Sequence, residues 1–199
     1  MPHPTKLALA TLLGVILCWI FFTGIFLLRK RQPTAPDAKR DPFATLGIAL
    51  QMVGYFLVWF QPPGQPFLRP VRVLSGIGGI VFAVFTIGLA AASGWLLLSA
   101  VRTLGRQWAW RARLVEGHQL ITTGPYAHVR NPIYTGMTGM LIATGLALEH
   151  WTGLIIAVIL FAVGMTIRVR SEEKLLRAEF GQEFEQYARR VPAVLPGIF

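Results

Sequence analysis

The sequence predicts an all-α polytopic membrane protein that crosses a bilayer about five times and ends in a cytoplasmic amphipathic helix. Three observations predict it. The 199 residues are 54% hydrophobic and only 14% charged, too few polar side chains to solvate a globule of this length. Five stretches carry no Asp, Glu, Lys or Arg and approach the roughly 20 residues that cross a hydrocarbon core of about 30 Å. Past the last of them the apolar residues recur at helical spacing among charged ones.

The first stretch, Leu7 to Leu28, lies near the N-terminus behind Lys6, as a signal peptide would. It is too long for one, lacks a small-residue cleavage site, and runs into the basic cluster Arg29, Lys30 and Arg31, which stops transfer. Cys18 sits within this span and is the single cysteine, so it reads as a small apolar residue and excludes an intrachain disulfide. The second stretch is Phe43 to Phe60, reached through a Pro- and Lys/Arg-rich connector at 29–42 and left through a proline-rich one from Gln61 to Pro70. The third, Val73 to Val101, holds Gly76, Gly78, Gly79 and Gly88, small residues expected to let neighbouring helices approach closely. A phosphate-binding glycine loop would have to link a strand to a helix, which this context does not offer. Ile133 to Leu148 and Trp151 to Ile167 flank Glu149 and His150 and predict a helical hairpin. No internal repeat and no inverted pair of interrupted helices points to a transporter.

The net charge of +10 is organised by topology. Arg29, Lys30, Arg31, Lys39 and Arg40 follow the first span, Arg102, Arg106, Arg111, Arg113 and Arg130 lie between the third and fourth, and Arg168, Arg170, Lys174, Arg177, Arg189 and Arg190 follow the fifth. Only Lys6, Arg69 and Arg72 remain for the other face, which places the C-terminus in the cytoplasm and the N-terminus outside. This distribution reads as orientation plus attraction to anionic membrane lipid, with no nucleic-acid partner.

Two regions divide the chain: residues 1–101, a three-helix transmembrane region, and 102–199, a catalytic region made of a cytoplasmic loop, the hairpin and a C-terminal helix. The loop from Arg102 to Arg130 is long and punctuated by Gly105, Gly117, Gly124 and Pro125, and long ordered loops tend to be functional. At its end stands Arg130-Asn131-Pro132-Ile133-Tyr134. Asn suits an N-cap and Pro the first helical position, so the run starts a helix; equally, a helix N-terminus at a membrane interface, beside Arg130 and Tyr134, can receive an anion. Arg168 and Glu172 are four apart and share a helix face where the last span leaves the membrane, with Glu173 adjacent. They form either a surface ion pair or a site in which Arg holds an anion and the carboxylate a cationic ligand. His118 has no second His or acidic residue at ligand spacing, and His3, His128 and His150 lie in other segments, so no metal site is predicted. Leu176, Phe180, Phe184, Tyr187 and Val191 make one apolar stripe on an otherwise charged helix, which either continues the fifth span, or bends at Gly181 to lie on the membrane or to fold back over the polar loop.

The stretches HQLITTGPYAHVRNPIYTG, His118 to Gly136, and EEKLLRAEFGQEFEQYARRVPAVLPG, Glu172 to Gly197, resemble the isoprenylcysteine carboxyl methyltransferase family over roughly the last hundred residues. That resemblance implies an integral-membrane methyltransferase using S-adenosylmethionine without a Rossmann domain. It implies cofactor contacts at His118, Gln119, Leu120, Ile121, Tyr126, Asn131, Pro132, Ile133, Tyr134 and Glu172, with Arg168 facing the carboxylate of a lipophilic acceptor that enters from the membrane. Arg168 and Glu172 are thus the expected catalytic pair. The family usually has Arg-His-Pro where this chain has Arg130-Asn131-Pro132; related phosphatidylethanolamine N-methyltransferases carry Asn-Pro. Phospholipid N-methylation and thiol S-methylation are accordingly the alternative reactions, and a small membrane transporter or adaptor the non-enzymatic one. The absence of the longer N-terminal region of eukaryotic members points to a prokaryotic relative in the inner membrane. Acceptor identity and oligomeric state stay open at this level.

Overall fold

A computed structural model describes residues 5–28, 42–60, 68, 70–71, 76–108, 119–148 and 151–194. His118, the hairpin tip and both connectors, apart from 42 in the first and 68 and 70 in the second, lie outside the described residues.

Six α-helices account for nearly all regular structure there: α1 (Lys6–Leu27), α2 (Pro42–Trp59), α3 (Ile77–Leu104), α4 (Pro132–Ala147), α5 (Trp151–Phe180) and α6 (Gln182–Arg190). Each of α1 to α5 is built on one of the uncharged runs, because a proline-free apolar stretch satisfies its backbone internally as a helix, and α5 continues past its run through Phe180. Local chemistry sets the ends. The Thr5 hydroxyl accepts from the Ala8 amide at 3.1 Å and caps α1, and Pro132 opens α4 at the position where its missing N–H costs nothing.

Among the described residues, three helices are long and apolar enough to cross a membrane: α1, α3 with the short turn that extends it to Gln107, and α5; α2 is a shorter apolar helix. Their outward faces are oily, with Leu9, Leu13, Leu17 and Ile20 on α1, Ile80, Val84 and Phe85 on α3, and Ile155, Ile159 and Val163 on α5 all exposed. Thr11, Gln51, Thr86, Ser93 and Thr144 are buried instead. Apolar residues outside and polar ones inside are what a hydrocarbon solvent selects, and the protein is an integral-membrane helical bundle.

α4 is the interior helix. At 16 residues it is about 24 Å long, and none of its large apolar side chains is exposed. It packs along α3, touches α1, α2 and α5, and receives hydrogen bonds from two of them. The Trp19 indole N–H donates to Thr144 Oγ1 at 2.7 Å, and the Tyr55 hydroxyl donates to the Met137 carbonyl at 2.8 Å.

The most extensive helix contact joins α2 to α5. It rests on two facing glycines: a Cβ placed on Gly164 would lie 2.6 Å from the Gly47 carbonyl oxygen, and one on Gly47 would lie 2.7 Å from the Gly164 carbonyl oxygen. Backbones this close admit no side chain between them. The glycines expected to serve this purpose on α3 do not all do so, since a Cβ on Gly76 or Gly88 would meet no heavy atom of the described residues within 4 Å.

Of the three courses open to the C-terminal stripe, the chain takes the fold back over the polar loop. α5 runs unbroken through Phe180, Gly181 adopts φ +50°, and α6 turns back. Only glycine enters that left-handed backbone without strain. Phe184 is buried, and the Tyr187 hydroxyl donates to the Tyr126 carbonyl at 2.6 Å.

Candidate active site at the α4–α5 junction

Arg168 lies on the α5 face turned toward α2 and is only 8% exposed. Its Nη1 donates to Gln51 Oε1 at 3.1 Å, its Nη2 stands 3.5 Å from Glu172 Oε1, and its guanidinium lies 5.0 Å from the centroid of the Tyr134 ring. The Tyr134 hydroxyl, buried on α4, donates to Glu172 Oε1 in turn. Arg168, Glu172 and Tyr134 therefore form one cluster across α4 and α5, with Gln51 reaching in from α2. A desolvated guanidinium needs such partners, and a face-on aromatic ring with a carboxylate at its edge supplies them.

The cluster has an inside and an outside. Gln51 is fully buried, and among the described residues its Nε2 has no hydrogen-bond partner, as is also true of Ser171 Oγ nearby on α5. The Glu172 side chain is 28% exposed, whereas Arg168 and Gln51 are buried. A partly exposed carboxylate beside buried donors can hold a cationic group on one side and an oxyanion on the other.

The start of α4 is built differently from a simple cap. Asn131 occupies the N-cap position, but its side chain makes no capping bond and its Nδ2 donates to the Ala193 carbonyl at 3.0 Å. The amides of Arg130 and Asn131 donate to the Pro192 and Ala193 carbonyls at 2.8 and 2.9 Å, and Thr135 Oγ1 donates to the Val194 carbonyl at 2.8 Å. Residues 191–194 are thus strapped along the foot of α4. The amides of Ile133 and Tyr134 belong to the first turn, where a helix offers no internal acceptor.

Arg130 ties this foot to α5 and α6. Its Nε donates to Glu173 Oε1 at 2.9 Å with both side chains 10% exposed, and its Nη1 donates to the carbonyls of Ala188, at 2.9 Å, and Val191. Beside it, burial pushes the Tyr187 hydroxyl up to about 12, an effect opposed by Arg130 and reinforced by Glu173.

The remaining predicted positions fall along the same approach. Pro132 is buried, Ile133 packs against the bundle core, and Tyr126 is buried in the short turn Gly124–Ala127 that precedes α4. Gln119 is exposed, with Leu120 and Ile121 half-buried, and the Gln119 amide donates to Gln107 Oε1 at 2.6 Å. His118 lies outside the described residues. Sequence reasoning did not find Gln51, the Arg130–Glu173 pair or the strap. Gln51 carried a signal all the same, as the sole side-chain amide in an otherwise apolar span.

Comparison with known proteins bears on the same helices. The chain is 33% identical over 117 residues to the nickel-cobalt-cadmium resistance protein NccN of Alcaligenes xylosoxydans xylosoxydans, a match covering 57% of this chain and 50% of that one. It is 26% identical over 141 residues to the protein-S-isoprenylcysteine O-methyltransferase of Schizosaccharomyces pombe, covering 67% and 60% of the two chains. To methanethiol S-methyltransferase 2 of Bradyrhizobium diazoefficiens it is 26% identical over 209 aligned positions, covering 98% and 77%. The chain thus spans about half to three fifths of the length of the first two relatives. Residues 81–183, from the first turns of α3 to the start of α6, match the model of the phospholipid methyltransferase family, and with more than half of its length inside that match the chain belongs to this family.

Proposed function

We propose that this protein is an integral-membrane methyltransferase that uses S-adenosylmethionine to methylate the carboxylate of a lipophilic, isoprenylcysteine-like acceptor. The observation that carries the reading is the Arg168–Glu172–Tyr134 cluster, which sets a buried guanidinium beside a partly exposed carboxylate inside the family-matched region. In this reading α1 to α5 all cross the bilayer and the C-terminal strap lies in the cytoplasm of a prokaryotic cell, a topology supported by the distribution of Lys and Arg.

The residues present suit the cofactor. The partly exposed Glu172 carboxylate can accept its ammonium group, and the uncapped first turn of α4 can donate to its carboxylate. Tyr126, Asn131, Pro132, Ile133 and Tyr134, with His118, Gln119, Leu120 and Ile121 on the approach, would line the rest. When bound, S-adenosylmethionine supplies a methyl group on a positively charged sulfur. The chain's own residues then have to position an acceptor, because a carboxylate nucleophile carries no proton to remove. Arg168 would hold one acceptor oxygen and aim the other at the methyl, while the apolar walls of α2 and α5 keep water away. Tyr134 holds Glu172 in place through its hydroxyl.

Thiol S-methylation is the second reading, supported by the methanethiol S-methyltransferase relative, whose match covers nearly the whole chain. The test is calorimetry with S-adenosylhomocysteine, followed by labelled methyl transfer to a farnesylated cysteine, phosphatidylethanolamine and a small thiol. Base-labile label on the prenylcysteine alone is the expected result. Label on the thiol or the amine overturns the acceptor assignment, and no heat with the cofactor product overturns the enzyme.

A further inference from the structure

A cleft of about 270 Å³ opens between α5 and the strap, on a different face of α5 from the cluster. Successive residues turn 100° around a helix, so Arg170 in the cleft points about 200° away from Arg168. The floor is apolar, with Met165 and Val169 from α5 and Val194 from the strap. The upper wall is cationic: Arg130, Arg170 and Arg177 face a single carboxylate of the lining, Glu173. Arg130 and Arg177 both bond Glu173, and Arg177 also reaches Glu185 at 2.8 Å, whereas none of the ion pairs among the described residues uses the exposed Arg170.

The cleft lies where the uncharged run of α5, Trp151 to Ile167, gives way to charge. Below it the exposed residues Ile155, Ile159 and Val163 run up the helix in line with Thr166 and Arg170, at spacings of four, four, three and four. Such spacings keep one face of the helix. One continuous track therefore passes from oily helix surface into a pocket with an apolar floor and a cationic wall. A soluble anion would match only the upper half of it, while an anionic lipid matches all of it.

We propose that this cleft binds the phosphate headgroup of an anionic membrane lipid, with Arg170 contacting the phosphate and one acyl chain lying along Ile155, Ile159 and Val163. The site is separate from the methyl-transfer cluster and does not depend on that assignment. Because Arg130 and Glu173 line the cleft and also fix the foot of α4 to α5, an occupant would brace the same junction.

The test uses the full chain in neutral detergent, titrated with short-chain phosphatidylglycerol, with phosphatidylcholine of the same chain length and with inorganic phosphate, read as a shift in unfolding temperature and as binding by native mass spectrometry. Phosphatidylglycerol is expected to bind at least about tenfold more tightly than phosphatidylcholine, and Arg170→Gln to remove about that factor as one charge-assisted contact is lost. Arg102→Gln, an equal charge change at the exposed end of α3, should leave the titration unchanged. Equal losses in the two variants would show delocalised attraction and overturn the site. So would equal binding of the two lipids, and a phosphate response matching that of the lipid would overturn the lipid assignment. Arg170 is exposed, so unaltered gel filtration and circular dichroism are expected and separate lost binding from lost folding.

Discussion

Replacing Arg168 by Lys keeps the charge and removes the geometry. The guanidinium of Arg168 serves three partners at once: Gln51 Oε1 at 3.1 Å, Glu172 at 3.5 Å and the face of Tyr134 at 5.0 Å. A lysine ammonium is a point charge that can satisfy one of these well, and it cannot present two parallel N–H groups to a carboxylate. A role in anchoring α5 at the headgroups, which Lys would fill equally well, requires an exposed side chain, and Arg168 is buried against α2. Losing one charge-assisted contact to the acceptor should cost about 1.5 to 3 kcal/mol, or roughly a tenfold to hundredfold fall in turnover. The assay is steady-state methylation of the acceptor identified above, paired with calorimetry of S-adenosylhomocysteine, whose affinity should stay near that of the unaltered protein. Turnover at the unaltered rate in Arg168→Lys would refute the claim that this residue reads the acceptor and would move the assignment to a thiol or an amine.

Glu172→Ala and Tyr134→Ala should each weaken S-adenosylhomocysteine binding by roughly tenfold or more while the protein remains folded in detergent; unchanged affinity in both, measured by calorimetry, removes the proposed cofactor pocket. Asn131→His should retain cofactor binding and thermal stability because a ring N–H can replace the Nδ2 donor to the Ala193 carbonyl, whereas Asn131→Ala loses that bond and should lower stability by about 1 kcal/mol in a thermal scan. Gly164→Ala places a methyl 2.6 Å from the Gly47 carbonyl oxygen and 3.0 Å from Leu50 Cβ, and should destabilise the bundle by about 1 to 3 kcal/mol while loosening the Gln51–Arg168 bond. Tyr187 is held protonated in the folded state up to about 12, against a usual value near 10. Between those values the unfolded chain releases this proton and the folded one keeps it, so stability falls as pH rises from 10 to 12. Tyr187→Phe should flatten that part of a stability–pH curve, and an unaltered curve would place the strain elsewhere.

Much of this architecture is legible in one dimension because its causes are local. Uncharged runs become helices wherever water is absent, Pro132 starts α4 where Pro is tolerated, and Gly181 breaks the C-terminal stripe where left-handed backbone is needed. The pairing of Arg168 with Glu172 follows from one turn of helix. Glycine on α3 misled for the same reason: small residues permit close packing wherever a partner arrives, and nothing local says that the partner of Gly47 is Gly164.

What the sequence determined by itself is the class of molecule, the order of its helices and the two motifs at the α4 foot and the α5 exit, each written within a few turns of chain. The tertiary structure alone decided that the shorter hairpin helix, α4, lies in the middle of the bundle, that Asn131 bonds the strap and leaves its own helix uncapped, and that α6 folds back so that Tyr187 meets Tyr126. It also brought Gln51, 117 residues distant, to the buried guanidinium of Arg168. No periodicity encodes such pairs, because they arise from which helix faces meet, and a buried charge has to accept the partner that the neighbouring helix presents.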